Sequence, residues 1–111
     1  MPRFIRRALP GLAVAVFALP FGAHATDIDC DPSASPANPA PAQRLICESA
    51  LFSMGYQRIY VDQQRMLKTG VVSEADIAAF RAKRDGCKTA SCLDTVFREW
   101  KAFAAKAARP Q

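Results

Sequence analysis

The chain has a single histidine among its 111 residues, His24, and that one stands at the edge of a segment expected to be removed. Without it there is no Ser-His or Cys-His pair for nucleophilic catalysis and no imidazole to ligate a metal. Acidic residues are missing from the first 26 positions, which hold Arg3, Arg6 and Arg7. No apolar run reaches the roughly 20 residues that span a bilayer, because Pro10, Gly11 and Pro20 interrupt the one candidate. C-x-x-C is absent too, which removes the usual redox motif and the closely spaced cysteine pairs of most zinc sites.

What the opening segment does contain is an export signal. Basic residues precede the apolar stretch Ala8 to Phe21, and Ala23-His24-Ala25 follows as a small-x-small cleavage site. Residues 1–25 are therefore expected to be a signal peptide cleaved after Ala25, delivering the product to the bacterial periplasm or exterior. A lipidated form is not expected, since Cys30 follows Asp27-Ile28-Asp29 rather than small and apolar residues. The formal charge of +5 is partly the leader's, and losing its three arginines brings the excess down to +2. No nucleic-acid partner and no membrane span are implied for the mature chain.

Four cysteines remain, Cys30, Cys47, Cys87 and Cys92. In a small exported domain an even number reads as a disulfide framework, with three connectivities open. The sequence-local pairs, Cys30 with Cys47 and Cys87 with Cys92, are favoured. Four-cysteine zinc binding is the competing reading, disfavoured by the wide spacings, and no cofactor is expected. A domain of this size gains from staples, since closing a loop of about 15 residues contributes roughly 3 kcal/mol.

Pro32, Pro36, Pro39 and Pro41 make residues 26–42 an extended proline-rich arm. Helical periodicity then takes over for residues 43–108. A short helix is expected near 43–50. A longer one over 51–69 carries the stripe Phe52, Tyr56, Ile59, Met66 and Leu67, with Gln63 in its gap and Gly70 as its stop. Ser73, with Asp76 three residues on, starts a third helix over 74–85, with Ile77, Phe80 and Arg84 on one side. Thr89 or Ser91 caps the last, over 91–108, where Leu93, Val96, Phe97, Trp100, Phe103, Ala104 and Ala107 form the cleanest amphipathic pattern. No strand is predicted. The fold expected is all-α, a small antiparallel bundle of three to four helices, disulfide-stapled and bearing the N-terminal arm.

The cysteine contexts carry a resemblance. Asp29-Cys30, Leu45-Ile46-Cys47, Phe80 four residues before Arg84-Asp85-Gly86-Cys87, and Cys92-Leu93 with Phe97 beyond it resemble the LprI-like family of small exported helical proteins, named after a lysozyme inhibitor. The similarity runs over roughly residues 28–103. It implies a non-enzymatic exported protein with lysozyme as its partner. The alternative is a structural or accessory envelope protein that binds another envelope protein.

Candidate partner contacts are Arg81, Arg84, Asp85, Tyr56 and Tyr60. Arg84 and Asp85 could offer a fork for an anionic ligand, or Arg84 could cover the apolar side of its helix and pair with a carboxylate of a neighbouring helix. The basic residues Arg81, Lys83, Arg84, Lys88, Arg98 and Lys101 suggest a polyanion face, but interspersed acids favour an ordinary solvated one. Phe97, Trp100 and Phe103 suit a partner hot spot less well than core packing. No pair of carboxylates stands out for acid-base work, and no catalytic residue is expected.

Overall fold

Proline decides where the first helix begins. Pro41 occupies the opening position of α1, Pro41–Glu48, where a missing N–H costs nothing because that group would have no intrahelical acceptor. The helix thus starts two residues earlier than the pattern predicts and stops at Ser49. Ser49 serves both neighbours: its extended backbone ends α1, and its hydroxyl accepts from the Phe52 N–H to cap α2, Ala50–Lys68. These helices belong to a computed structural model that describes residues 26–33 and 38–110. The expected leader, with His24, and residues 34–37 of the expected arm lie outside the described residues.

Gly70 follows α2 in the left-handed conformation, φ 78°, the stop that glycine supplies without a Cβ penalty. Ser73 then opens α3, Glu74–Asp85, in a full capping box with Asp76. Thr89, rather than Ser91, caps α4, Ala90–Ala107, by accepting from the Cys92 N–H. Among the described residues the regular elements are these four helices, without strands. None of the described helices is long and apolar enough to cross a membrane. The two disulfides are Cys30–Cys47 and Cys87–Cys92, with Cα separations of 5.4 and 5.5 Å.

α1 packs on α2 and α3, and α4 on the same two helices. Their shared core comprises Ile46 from α1, Tyr56, Ile59 and Met66 from α2, Ile77 and Phe80 from α3, and Leu93, Val96, Phe97 and Trp100 from α4. The aromatic rings interlock: Tyr56, Phe80 and Phe97 meet as a three-ring cluster, with Tyr56 6.1 Å from Phe80 and 5.9 Å from Phe97 and those two 6.3 Å apart, and Phe52 meets Phe97 edge-on at 5.8 Å. Phe103 departs from the expected stripe. It is 41% exposed and packs on Trp100 at a ring-centroid distance of 5.3 Å, while Ala104 and Ala107 on the same turns contact the core. Gln63 does fill the gap in the α2 stripe, and it is fully buried there.

Candidate functional site

The four-residue spacing of Tyr56 and Tyr60 on α2 and the three- and four-residue spacing of Arg81, Arg84 and Asp85 on α3 bring all five sequence-predicted contact residues into one cluster. At its centre stands a residue the sequence reading passed over, Asp27. The side chain of Arg84 is only 5% exposed, and its Nη1 donates to both Asp27 carboxylate oxygens, at 3.2 and 3.0 Å, and to the Tyr56 hydroxyl at 2.7 Å. Tyr56, itself fully buried, donates its hydroxyl proton to Asp27. Arg84 Nε donates to Asp85 Oδ1 at 2.8 Å on the same helix.

Arg81 completes the enclosure. Its Nε lies 3.6 Å from Asp27 Oδ2, and its guanidinium sits over the Tyr60 ring at 5.9 Å, while that of Arg84 sits over the Tyr56 ring at 5.3 Å. Burial favours the uncharged form of each group, but the partners decide the net direction. For Asp27, burial pushes the carboxyl up, and the hydrogen bond from Tyr56 and the charge of Arg84 outweigh it, holding the group below its ordinary value. For Tyr56, burial and the bond to Asp27 both push the phenol upward, well beyond its normal range. For Arg84, burial works against the charge, and Asp85, Tyr56 and Asp27 more than restore it. Every group is thereby held in its ordinary protonation state.

Asp27 reaches this position because the arm is tied down on three sides. Ile28 packs against the core, Gln43 Nε2 donates to the Asp29 carbonyl at 3.3 Å, and Cys30 is bonded to Cys47 on α1. The carboxylate facing Arg84 thus comes from the arm and not, as the helix pattern suggests, from a neighbouring helix. The disulfide three residues downstream was the available signal, since it requires residues 27–30 to lie against the helices.

The basic face is largely spoken for within the molecule. Arg81 and Arg84 turn inward to Asp27, Lys83 approaches Glu99 at 3.9 Å, and Arg98 pairs with Asp94 at 2.6 Å. A second feature lies elsewhere, a groove between α2 and the far half of α4 with Ile59, Met66, Trp100 and Ala104 in its wall and Arg58, Arg65 and Lys101 along its edges. Asp62, also in that lining, is bonded to Arg65 at 2.6 Å. On the outward side of α2, Leu51, Met54 and Val61 are exposed to 81, 67 and 62%. Among the described residues no three histidine, cysteine or carboxylate side chains stand together as a metal site. Comparison with known proteins finds no matching family model, no similar curated protein and no similar solved structure.

Proposed function

We propose that this chain is an exported, non-enzymatic binding protein of the bacterial periplasm or cell exterior, built as a small antiparallel bundle with an arm that ends where α1 begins at Pro41. The observation that carries this reading is the groove between α2 and α4. Its wall is apolar and its edges are basic, a combination suited to a protein segment with apolar anchors and acidic flanks. The polar cluster around Asp27 supports the same reading from the other side. Asp27 is held as a carboxylate by Tyr56 and Arg84, and Tyr56 keeps its proton, an arrangement not suited to proton transfer.

The resemblance to LprI-like proteins narrows the partner to lysozyme. An inhibitor would block the glycan cleft with a rigid surface, and two disulfides reduce the ordering cost of presenting one. The second reading, an accessory protein bound to another envelope protein, draws support from Arg58, Arg65 and Lys101, since basic edges steer an acidic partner and repel a cationic lysozyme.

One experiment separates the two. Micromolar mature protein is added to a lysozyme turbidity assay on bacterial walls, and the same protein is used as bait in a periplasmic extract. Slowed lysis, deepened by Arg58→Glu as the repulsion is reversed, supports inhibition through the groove. Unchanged lysis with retention of a defined acidic partner, lost in Arg58→Glu, supports the accessory reading, and indifference of both readouts to Arg58→Glu removes the groove from consideration.

A further inference from the structure

The half of the Asp27 cluster that receives the carboxylate is assembled entirely by the helices. Asp85 holds Arg84 by its Nε, the Tyr56 ring lies beneath the guanidinium, and Phe80 and Phe97 pack against Tyr56. Arg81 is steadied over Tyr60. None of these contacts involves residues 26–33. Asp27, by contrast, arrives on a non-helical segment fastened to α1 by the Cys30–Cys47 bond. The seat and its occupant are separate pieces of the molecule.

The geometry points to a carboxylate-binding site made by Arg84, Arg81 and Tyr56, which the arm fills in cis with Asp27 and which takes a carboxylate in trans when that side chain is withdrawn. The demand for an anion is physical. A guanidinium with 5% of its side chain exposed is costly without a counter-charge, and Asp85, 60% exposed and bonded only at Nε, neutralises just one edge. The Tyr56 hydroxyl adds a directed donor, which favours an oxygen acceptor over a spherical ion such as chloride. The Tyr56 hydroxyl, Arg84 Nη1 and Arg81 Nε converge on one carboxylate, so the position is matched to a single such group. The ligand class is therefore a small carboxylate, either a free acid or one borne on an extended peptide resembling residues 26–29. This assignment is independent of which partner occupies the groove.

Removing only the Asp27 side chain tests it. The oxidised Asp27→Ala protein, with both disulfides verified by mass, is unfolded thermally at pH 7 in sodium acetate and in sodium chloride of equal ionic strength. Acetate should raise its melting temperature saturably, by about 5 °C at ten times the dissociation constant, with no such rise in chloride. Asp27→Asn, whose amide still fills the position, should not respond. The peptide N-acetyl-Thr-Asp-Ile-Asp-amide distinguishes the sources: saturation at concentrations well below acetate assigns a peptide-borne carboxylate, and saturation at equal concentrations assigns a free acid. If Asp27→Ala does not accumulate folded, Asp27→Ser leaves the same space and is tested identically. Identical responses to acetate and chloride, or equal responses of Asp27→Asn and the truncated variants, overturn the assignment.

Discussion

Arg84 and Tyr56 meet across the interface of α3 and α2, the guanidinium Nη1 2.7 Å from the phenolic oxygen, and the phenol in turn donates a hydrogen bond to Asp27. The tyrosine is thus a bridge between a buried cation and a carboxylate, and not merely a ring in the stack. Tyr56→Phe keeps the ring and deletes the bridge. Arg84 and Asp27 still contact each other directly, so the expected loss is about 1–2 kcal/mol rather than collapse. Denaturant unfolding checks the magnitude, and an unchanged midpoint would show that the hydroxyl contributes nothing.

The same three groups set the pH limits of the fold. Asp27 in the folded chain lies below the ordinary carboxylate value of 3.8. Between the folded and unfolded values the unfolded chain holds a proton that the folded chain lacks. The contribution of Asp27 is therefore complete above the ordinary carboxylate range and is lost as pH falls through the depressed value. Tyr56 acts at the other end. Its folded value is raised above 10.0, so the unfolded chain ionises first and stability declines as pH climbs past about 10. Thermal melts from pH 2 to 12 should fall off at both edges in the wild type. Tyr56→Phe should lose the part of the alkaline decline that Tyr56 causes and shift the acid edge upward, as Asp27 returns toward its ordinary value. An unaltered profile in that variant would contradict the coupling.

How much of this could be read from the residues differs by element. Helix positions followed from local chemistry: Ser73 with Asp76, Thr89, and Gly70 each act within a few residues, and all three perform the capping or stopping expected of them. The buried faces of α3 and α4 followed from period alone, except that Phe103 lies at the margin of its stripe and is 41% exposed. Asp27 was not legible, because nothing local distinguishes it. Its importance arises from a contact 57 residues away with Arg84, and only the tie at Cys30 brings the two together. The groove is equally non-local, since its walls come from α2 and α4 and no motif marks either.

That tie has a measurable consequence. Cys30–Cys47 closes a loop of 17 residues, and by chain entropy alone its removal costs about 3 kcal/mol. The double variant Cys30→Ala with Cys47→Ala also frees the arm, so part of the Asp27 contact should be lost with it. Adding Asp27→Ala on that background should therefore cost less than it does in the oxidised wild type. A double-mutant cycle by urea unfolding measures the difference, and strict additivity would mean that the arm keeps its place without the disulfide.

Gln63 makes the opposite prediction, a gain. It lies fully buried among Tyr56, Ile59 and Met66 on the inner face of α2, and neither its amide nitrogen nor its oxygen has a hydrogen-bond partner among the described residues. Burying an amide without compensation costs about 1–3 kcal/mol. Methionine has nearly the same length and flexibility, so Gln63→Met retains the packing while removing the polar atoms. The expected result is a rise in stability of about 1–2 kcal/mol, read as a higher urea midpoint at unchanged slope. A lower midpoint would mean that the amide is satisfied in solution and that the glutamine holds α2 in register through a bond of its own.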